Sequence, residues 1–227
     1  MKILAVADEE SAALWDYYEP EKVRGVDLIL SAGDVKAEYL EFLVTMTNLP
    51  LLYIRGNHDD CYKHRAPAGC ICIEDKLYNY KGLRIMGLGG SMYYHPGENM
   101  YTEQEMKRRI LRADMHSLFK GGCDILLTHS PARGYGDMDD LPHRGFECFN
   151  NYLEKWHPKY MIHGHVHKAY GHFQQEREHT CGTKIVNACG YTILDIPESD
   201  YPQYGQTGSP LYDLYITLQG MRLELPP

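Results

Sequence analysis

The chain has 227 residues, 44% of them hydrophobic and 24% charged. That is enough to bury a core without disulfides, and it excludes disordered, collagen-like and coiled-coil classes. A formal charge of −8 sets a surface field that repels polyanions, so long nucleic acid is not an expected partner. No apolar run approaches the ~20 residues of a bilayer span, and the opening strand-like run meets Asp8, Glu9 and Glu10 at once, so neither a membrane segment nor a signal peptide is expected. Seven cysteines, odd in number and without a paired C-x-x-C spacing, fit a reducing cytoplasm better than a disulfide framework or a thiolate zinc knuckle. Twelve histidines stand out in so acidic a chain, five of them between His157 and His172, a density that suggests metal chemistry. Residues 1–227 are expected to form one domain.

Taken in chain order, short apolar runs each stop at a polar cluster. A strand over 3–7 ends at Asp8, and one over 28–30 precedes Gly33-Asp34. Residues 36–47, apolar at Tyr39, Leu40, Leu43 and Met46, read as a helix packed on one face. A strand over 51–54 leads to Gly56-Asn57-His58-Asp59, and 77–80 with 83–88 bracket Lys81-Gly82 as a hairpin. After a loop over 89–101, Thr102 and Glu105 form a capping box for a helix carrying Met106, Ile110, Met115 and Leu118, stopped by Gly121-Gly122. A strand over 125–127 reaches Thr128-His129, a loop spans 132–145, and a helix runs over 146–156 before Pro158. The strand over 160–162 ends in His163-Gly164-His165-Val166-His167. A connecting loop over 197–210 and a second hairpin, 211–218 with 221–225, close the chain. Near-continuous apolar strands belong to a sheet covered on both faces, and ligand residues at strand ends are where open α/β sheets bind. The clusters are expected on one rim.

As ligands, Asp8, Glu10, Asp34, Asn57, His129, His165 and His167 offer three carboxylates, an amide oxygen and three imidazoles. Such a mixed set suits first-row ions, and a carboxylate, for which Asp34 is the candidate, can bridge two of them.

The succession Asp8, Gly33-Asp34, Gly56-Asn57-His58-Asp59, His129, Gly164-His165-Val166-His167 resembles the calcineurin-like metallophosphoesterase superfamily over most of the chain. The stretch from Thr128-His129-Ser130-Pro131 to Tyr170-Gly171 and Val186-Asn187 is similar to its phosphodiesterase-like branch. The resemblance implies an α/β fold, a four-layer α-β-β-α sandwich of two mixed sheets, with a dinuclear centre at the strand ends. Asp8 and His167 would hold one ion, Asn57, His129 and His165 the other, and Asp34 would bridge them. A hydroxide shared by the ions would attack a small phosphoester, with His58 facing the phosphate as acid. The chain departs from the family's Asp-x-His at Asp8-Glu9-Glu10. Counting Glu10 as a ligand adds a negative charge, which favours Mn or Fe, divalent or mixed-valence, over Zn and diesters over dianionic monoesters.

Arg133 and His143 are further substrate-contact candidates, and Arg55 a possible phosphate clamp. His163 could hold a ligand imidazole or simply fill the core. His64, His95, His116, His157 and His179 are read as surface or core residues, and His172 as exposed. The rival functions are a metal-binding scaffold without catalysis and a nuclease acting on short single strands; the complete ligand set with His58 favours the enzyme.

Overall fold

The computed structural model describes residues 1–170, 173–203, 205 and 207–223. Along the chain lie β1 (Lys2–Ala7), β2 (Leu28–Ser31), α1 (Ala37–Thr47), β3 (Leu51–Tyr53), β4 (Ile71–Cys72), β5 (Leu77–Tyr80), β6 (Leu83–Leu88), β7 (Ser91–Met92) and β8 (Met100–Tyr101). They are followed by α2 (Glu103–Lys120), β9 (Ile125–Thr128), α3 (Glu147–Trp156), β10 (Tyr160–His163), β11 (Glu176–Glu178), β12 (Lys184–Asn187), β13 (Gly190–Asp195) and α4 (Pro210–Leu223).

Residues Ile3 to Ala7 of β1 are all buried, and their two faces enter different cores: Ile3, Ala5 and Ala7 one, Leu4 and Val6 the other. This is the signature of a strand covered on both sides. One sheet has the order β13-β1-β2-β3-β4, parallel except for β13; the other is β11-β12-β10-β9-β6-β5, with antiparallel β11 and β5 at its edges. Between the sheets pack Leu28, Leu30, Leu52, Ile85, Ile125, Leu127, Ile162 and Val186. Tyr39, Leu40 and Leu43 of α1 cover the outer face of the first sheet, and α2 and α3 cover the second. The architecture is the expected four-layer sandwich. Parallel register sets Val6 beside Ser31 and Ser31 beside Tyr53, and Ile162 beside Leu127, so the carboxyl ends of β1, β2 and β3 align, as do those of β9 and β10.

The capping box is present: Thr102 Oγ1 accepts from Glu105 N at 3.3 Å, and Glu105 Oε2 accepts from Thr102 N at 2.8 Å. Helix α2 buries Met106, Ile110, Ala113 and Ser117 but leaves Met115 and Leu118 exposed. The buried four follow the i, i+4, i+7, i+11 line, and the other two lie off it. The first hairpin forms with Lys81 and Gly82 both at positive φ, 48° and 97°, the conformation a two-residue turn needs to match strand twist.

The second hairpin does not form. Residues 210–223 are helix α4, and the loop before it joins β13 to a helix rather than to a strand. Ser209 Oγ accepts from Tyr212 N at 3.3 Å and Pro210 takes the first helical position, where its missing N–H costs nothing. The end of that expected hairpin, residues 224–225, and His172 lie outside the described residues. Among the described residues no helix is long and apolar enough to cross a membrane.

Candidate metal centre

Asp8, Asp34 and His165 stand one, three and two residues beyond the ends of β1, β2 and β10, each in the left-handed region with φ of 62°, 56° and 71°. Non-glycine residues adopt this backbone rarely, and such outliers gather at functional sites. Two glycines let the loops close together. A Cβ on Gly56 would overlap the Asp34 carboxylate and the His129 ring, and one on Gly164 would stand 2.7 Å from Asp8 Oδ2.

The centre is organised around Nε2 of buried His129. Nδ1 of that ring meets the Ala32 carbonyl at 2.8 Å, so the neutral ring keeps its proton there and presents Nε2 as a lone pair. Within reach of Nε2 lie Asn57 Oδ1 at 3.0 Å, His165 Nδ1 at 3.1 Å and Asp34 Oδ2 at 3.2 Å. His165 is fixed in the complementary sense: its Nε2 donates to the Pro142 carbonyl at 2.7 Å, freeing Nδ1. Four electron-pair donors therefore converge from β2, β3, β9 and β10, an arrangement that repels itself unless a cation stands between them.

Charges in the metal-free pocket agree. Burial alone would lower His129, but Asp34 through charge and hydrogen bond, with Asp8 beyond, raises it to about 9. Burial, and then the His129 charge, hold His165 at about 3. Burial pushes Asp34 up, but His129 and the His58 N–H outweigh it and bring it to about 2. One proton thus occupies the place where the lone pairs meet. The donor set fits a first-row cation there.

Asp8 adjoins this group. Both its oxygens accept from His165 N, at 2.8 and 2.9 Å, and burial pushes it up to about 6 against the pull of His129. His167 is half-buried, with Nδ1 3.3 Å from Glu9 Oε1. Glu10 is not with them. Its Oε1 accepts from Lys36 N at 2.9 Å and its Oε2 lies 3.3 Å from Lys36 Nζ, so both oxygens serve the start of α1. The orphan amide there competes for the carboxylate, and the neighbouring Glu9 reaches His167 instead.

His58 is exposed at the rim, with its backbone N–H on Asp34 Oδ1 at 2.8 Å. Asp59, to which sequence reasoning gave no task, joins two ligand loops: its Oδ2 accepts from Asp34 N at 2.8 Å and Gly56 N at 2.7 Å. Burial and the Asp34 charge raise it to about 7. Its sequence signal was an Asp three residues after Gly56, a spacing that lets a side chain close a turn.

Neither arginine considered as a clamp is free. Arg55 Nε is 2.6 Å from Glu74 Oε2, and Arg133 bonds Asp137 at 2.6 Å and the Met138 carbonyl at 3.1 Å. Arg133 instead organises the loop that carries Pro142 to His165. His143 lies in that loop, bonded to Asp140 at 2.6 Å, its ring centroid 5.4 Å from His165 and 4.7 Å from Tyr170. His163 is buried and, chiefly by burial, lowered to about 4. Tyr94 Oη receives the Asn57 amide at 3.4 Å, which turns Oδ1 toward His129.

A family model for calcineurin-like phosphoesterases matches residues 5–169, and the chain belongs to that family. The Caenorhabditis elegans UPF0046 protein C25E10.12 is 30% identical over 212 residues, 75% of this chain and 73% of the relative. The worm protein T07D4.2 is 29% identical over 54% of this chain and 29% of its own length. Human metallophosphoesterase domain-containing protein 1 is 27% identical over 45% of this chain and 31% of its own. The chain thus spans about three quarters of the first and under a third of the other two. Among solved structures, TT1561 of Thermus thermophilus aligns with a TM-score of 0.59 at 16% identity, covering 86% of this chain and 93% of that one. Phosphopantetheinyl hydrolase from Mycobacterium tuberculosis gives 0.56 at 10%, covering 83% and 88%. These two share the fold.

Proposed function

We propose that the chain hydrolyses a small phosphodiester at a two-cation centre, with Asp34, Asn57, His129 and His165 holding one ion and Asp8 and His167 contributing to the other beside it. The observation that carries this is the convergence of three donor atoms on a fourth, His129 Nε2, with both imidazole tautomers preset by the Ala32 and Pro142 carbonyls. Bound cations supply charge that neutralises phosphoryl oxygens and acidifies water. The protein's part is positioning. His58 stands at the rim with its backbone anchored to Asp34, so its ring can give a proton to the leaving oxygen. His143, packed against His165 and Tyr170, would be the substrate contact, a reading its nearness to His165 supports.

Diester preference is supported by charge. Arg55 and Arg133 are neutralised by Glu74 and Asp137, so neither offers a clamp for a dianionic monoester. The expected preference for Mn or Fe rested on Glu10 as a ligand; with Glu10 on Lys36, the donor count that favoured hard ions falls by one. All seven cysteines are free thiols, which supports a reducing, cytoplasmic setting.

The test is metal analysis of purified protein with hydrolysis of bis- and mono-p-nitrophenyl phosphate. The expected result is about two first-row ions per chain, faster diester turnover and loss of activity in chelator. A protein that binds no metal and is inert overturns the reading.

A further inference from the structure

Outside the His129 group, one further set of donor atoms converges among the described residues. A Glu9 carboxylate oxygen, a His167 ring nitrogen and Cys189 Sγ all lie within 4.8 Å of one another. They come from three places in the chain: the turns after β1 and β10 and the junction of β12 and β13. We propose that these residues form a cation site in which the Cys189 thiolate is a ligand, so that the outer ion of the centre is held by a sulfur donor where the family pattern offers only nitrogen and oxygen.

The inference rests on the cation-dependent reading of the site, and three observations build it. Glu10, which stands where the family pattern has its histidine, is committed to Lys36 through both oxygens. Cys189 is completely buried and pairs with Ala7 in an isolated parallel bridge, which fixes its backbone beside the Asp8 turn. Ligand atoms ~2.0 to 2.3 Å from one ion can be at most ~4.6 Å apart. Glu9 is half exposed and already faces His167 Nδ1 at 3.3 Å, so a small closure completes the set.

Binding converts Cys189–SH and the incoming divalent ion to a metal thiolate, with the thiol proton passing to solvent. A soft donor shifts preference toward Zn²⁺ or Co²⁺ over Mn²⁺, the opposite of what a Glu10 carboxylate predicts.

The experiment is Co²⁺ titration of chelator-stripped protein under anaerobic, reducing conditions, followed by absorption. Wild type is expected to develop a near-ultraviolet thiolate-to-cobalt charge-transfer band. Cys189→Ser should lose that band while keeping the visible bands of cobalt at the His129 group, and Cys61→Ser, at an exposed thiol, should retain it. Glu9→Gln, an exposed change that leaves folding intact, should weaken the Co²⁺ dependence of the band about tenfold or more, which keeps the test alive should Cys189→Ser fold poorly. Absence of the band in wild type, its survival in Cys189→Ser, or a Glu9→Gln titration identical to wild type overturns the proposal. The phosphoester assay reads separately: protein that shows the band and hydrolyses nothing refutes the proposed activity and leaves the thiolate site standing.

Discussion

Asp59 offers a sharp test of how the centre is held, because a single oxygen does the work. Oδ2 accepts both from Asp34 N at 2.8 Å and from Gly56 N at 2.7 Å, inside a side chain that is 3% exposed. In Asp59→Ala two buried donors lose their partner together. At about 1–3 kcal/mol for each unsatisfied buried group, the cost is about 2–6 kcal/mol, and the Asp34 and Gly56 loops lose their tie, so turnover should fall as well. Asp59→Asn retains a carbonyl oxygen able to take both bonds and should cost about 1 kcal/mol or less. The assay is urea unfolding of chelator-stripped protein at pH 6, where Asp59, raised to about 7, is mostly protonated and wild type resembles the Asn variant in charge. The pH dependence has a definite sign. A carboxyl whose folded pKa is raised binds its proton more tightly when folded, so its stabilisation is present below pH 4 and is lost as pH rises through 7. Wild type should lose stability over that window at up to about 1.4 kcal/mol per pH unit from this group, and Asp59→Asn should lack that component. Equal destabilisation by Ala and Asn, or an Ala variant within 1 kcal/mol of wild type, would refute the reasoning.

Other perturbations separate the roles of neighbouring residues. Asp34→Asn and His165→Ala should each lose metal, measured by elemental analysis, and nearly all turnover, with modest change in unfolding midpoint, since neither fills the core between the sheets. His58→Ala should keep its metal and lose roughly 10²- to 10⁴-fold in kcat; metal loss would make it a ligand instead. Glu10→Gln keeps an acceptor for Lys36 N and should leave metal content and pH profile unchanged. Arg133→Met should raise KM and lower kcat together by loosening the loop that brings Pro142 to His165, and Arg133→Lys should restore only part, having no fork to span Asp137 and Met138.

What could be read in the sequence and what could not divides along a physical line. Strands buried on both faces must be continuously apolar, and ligand groups must sit where strands stop, so β1, β2, β3, β9 and β10 and their terminal clusters were visible as runs and interruptions. The same holds for α2, whose capping box is a three-residue pattern. The C-terminal helix was missed because its apolar residues crowd into a run that also suits a strand, and because Gln219-Gly220 looks like a turn. The Ser209-Pro210 pair was the available signal and was outweighed.

The centre's remaining features were hidden for a different reason. The groups that set the imidazole tautomers are the backbone carbonyls of Ala32 and Pro142, and a carbonyl carries no residue identity for a sequence to display. Charged side chains pose the opposite problem, since identity is visible but partner is not. Arg55, Arg133 and Glu10 each have the chemistry of a site residue, yet Glu74, Asp137 and Lys36 respectively lie closer to hand. A buried or half-buried charge takes the nearest compensating group, and that choice follows from folding rather than from spacing. Cys189 shows the converse. Nothing in its local sequence marks a ligand, but the isolated Ala7–Cys189 bridge beside the β1–β13 ladder brings its sulfur to Glu9 and His167. In the proposed cation site the sulfur donor is therefore set by the pairing of β1 with β13, as much as by the motif that follows β1.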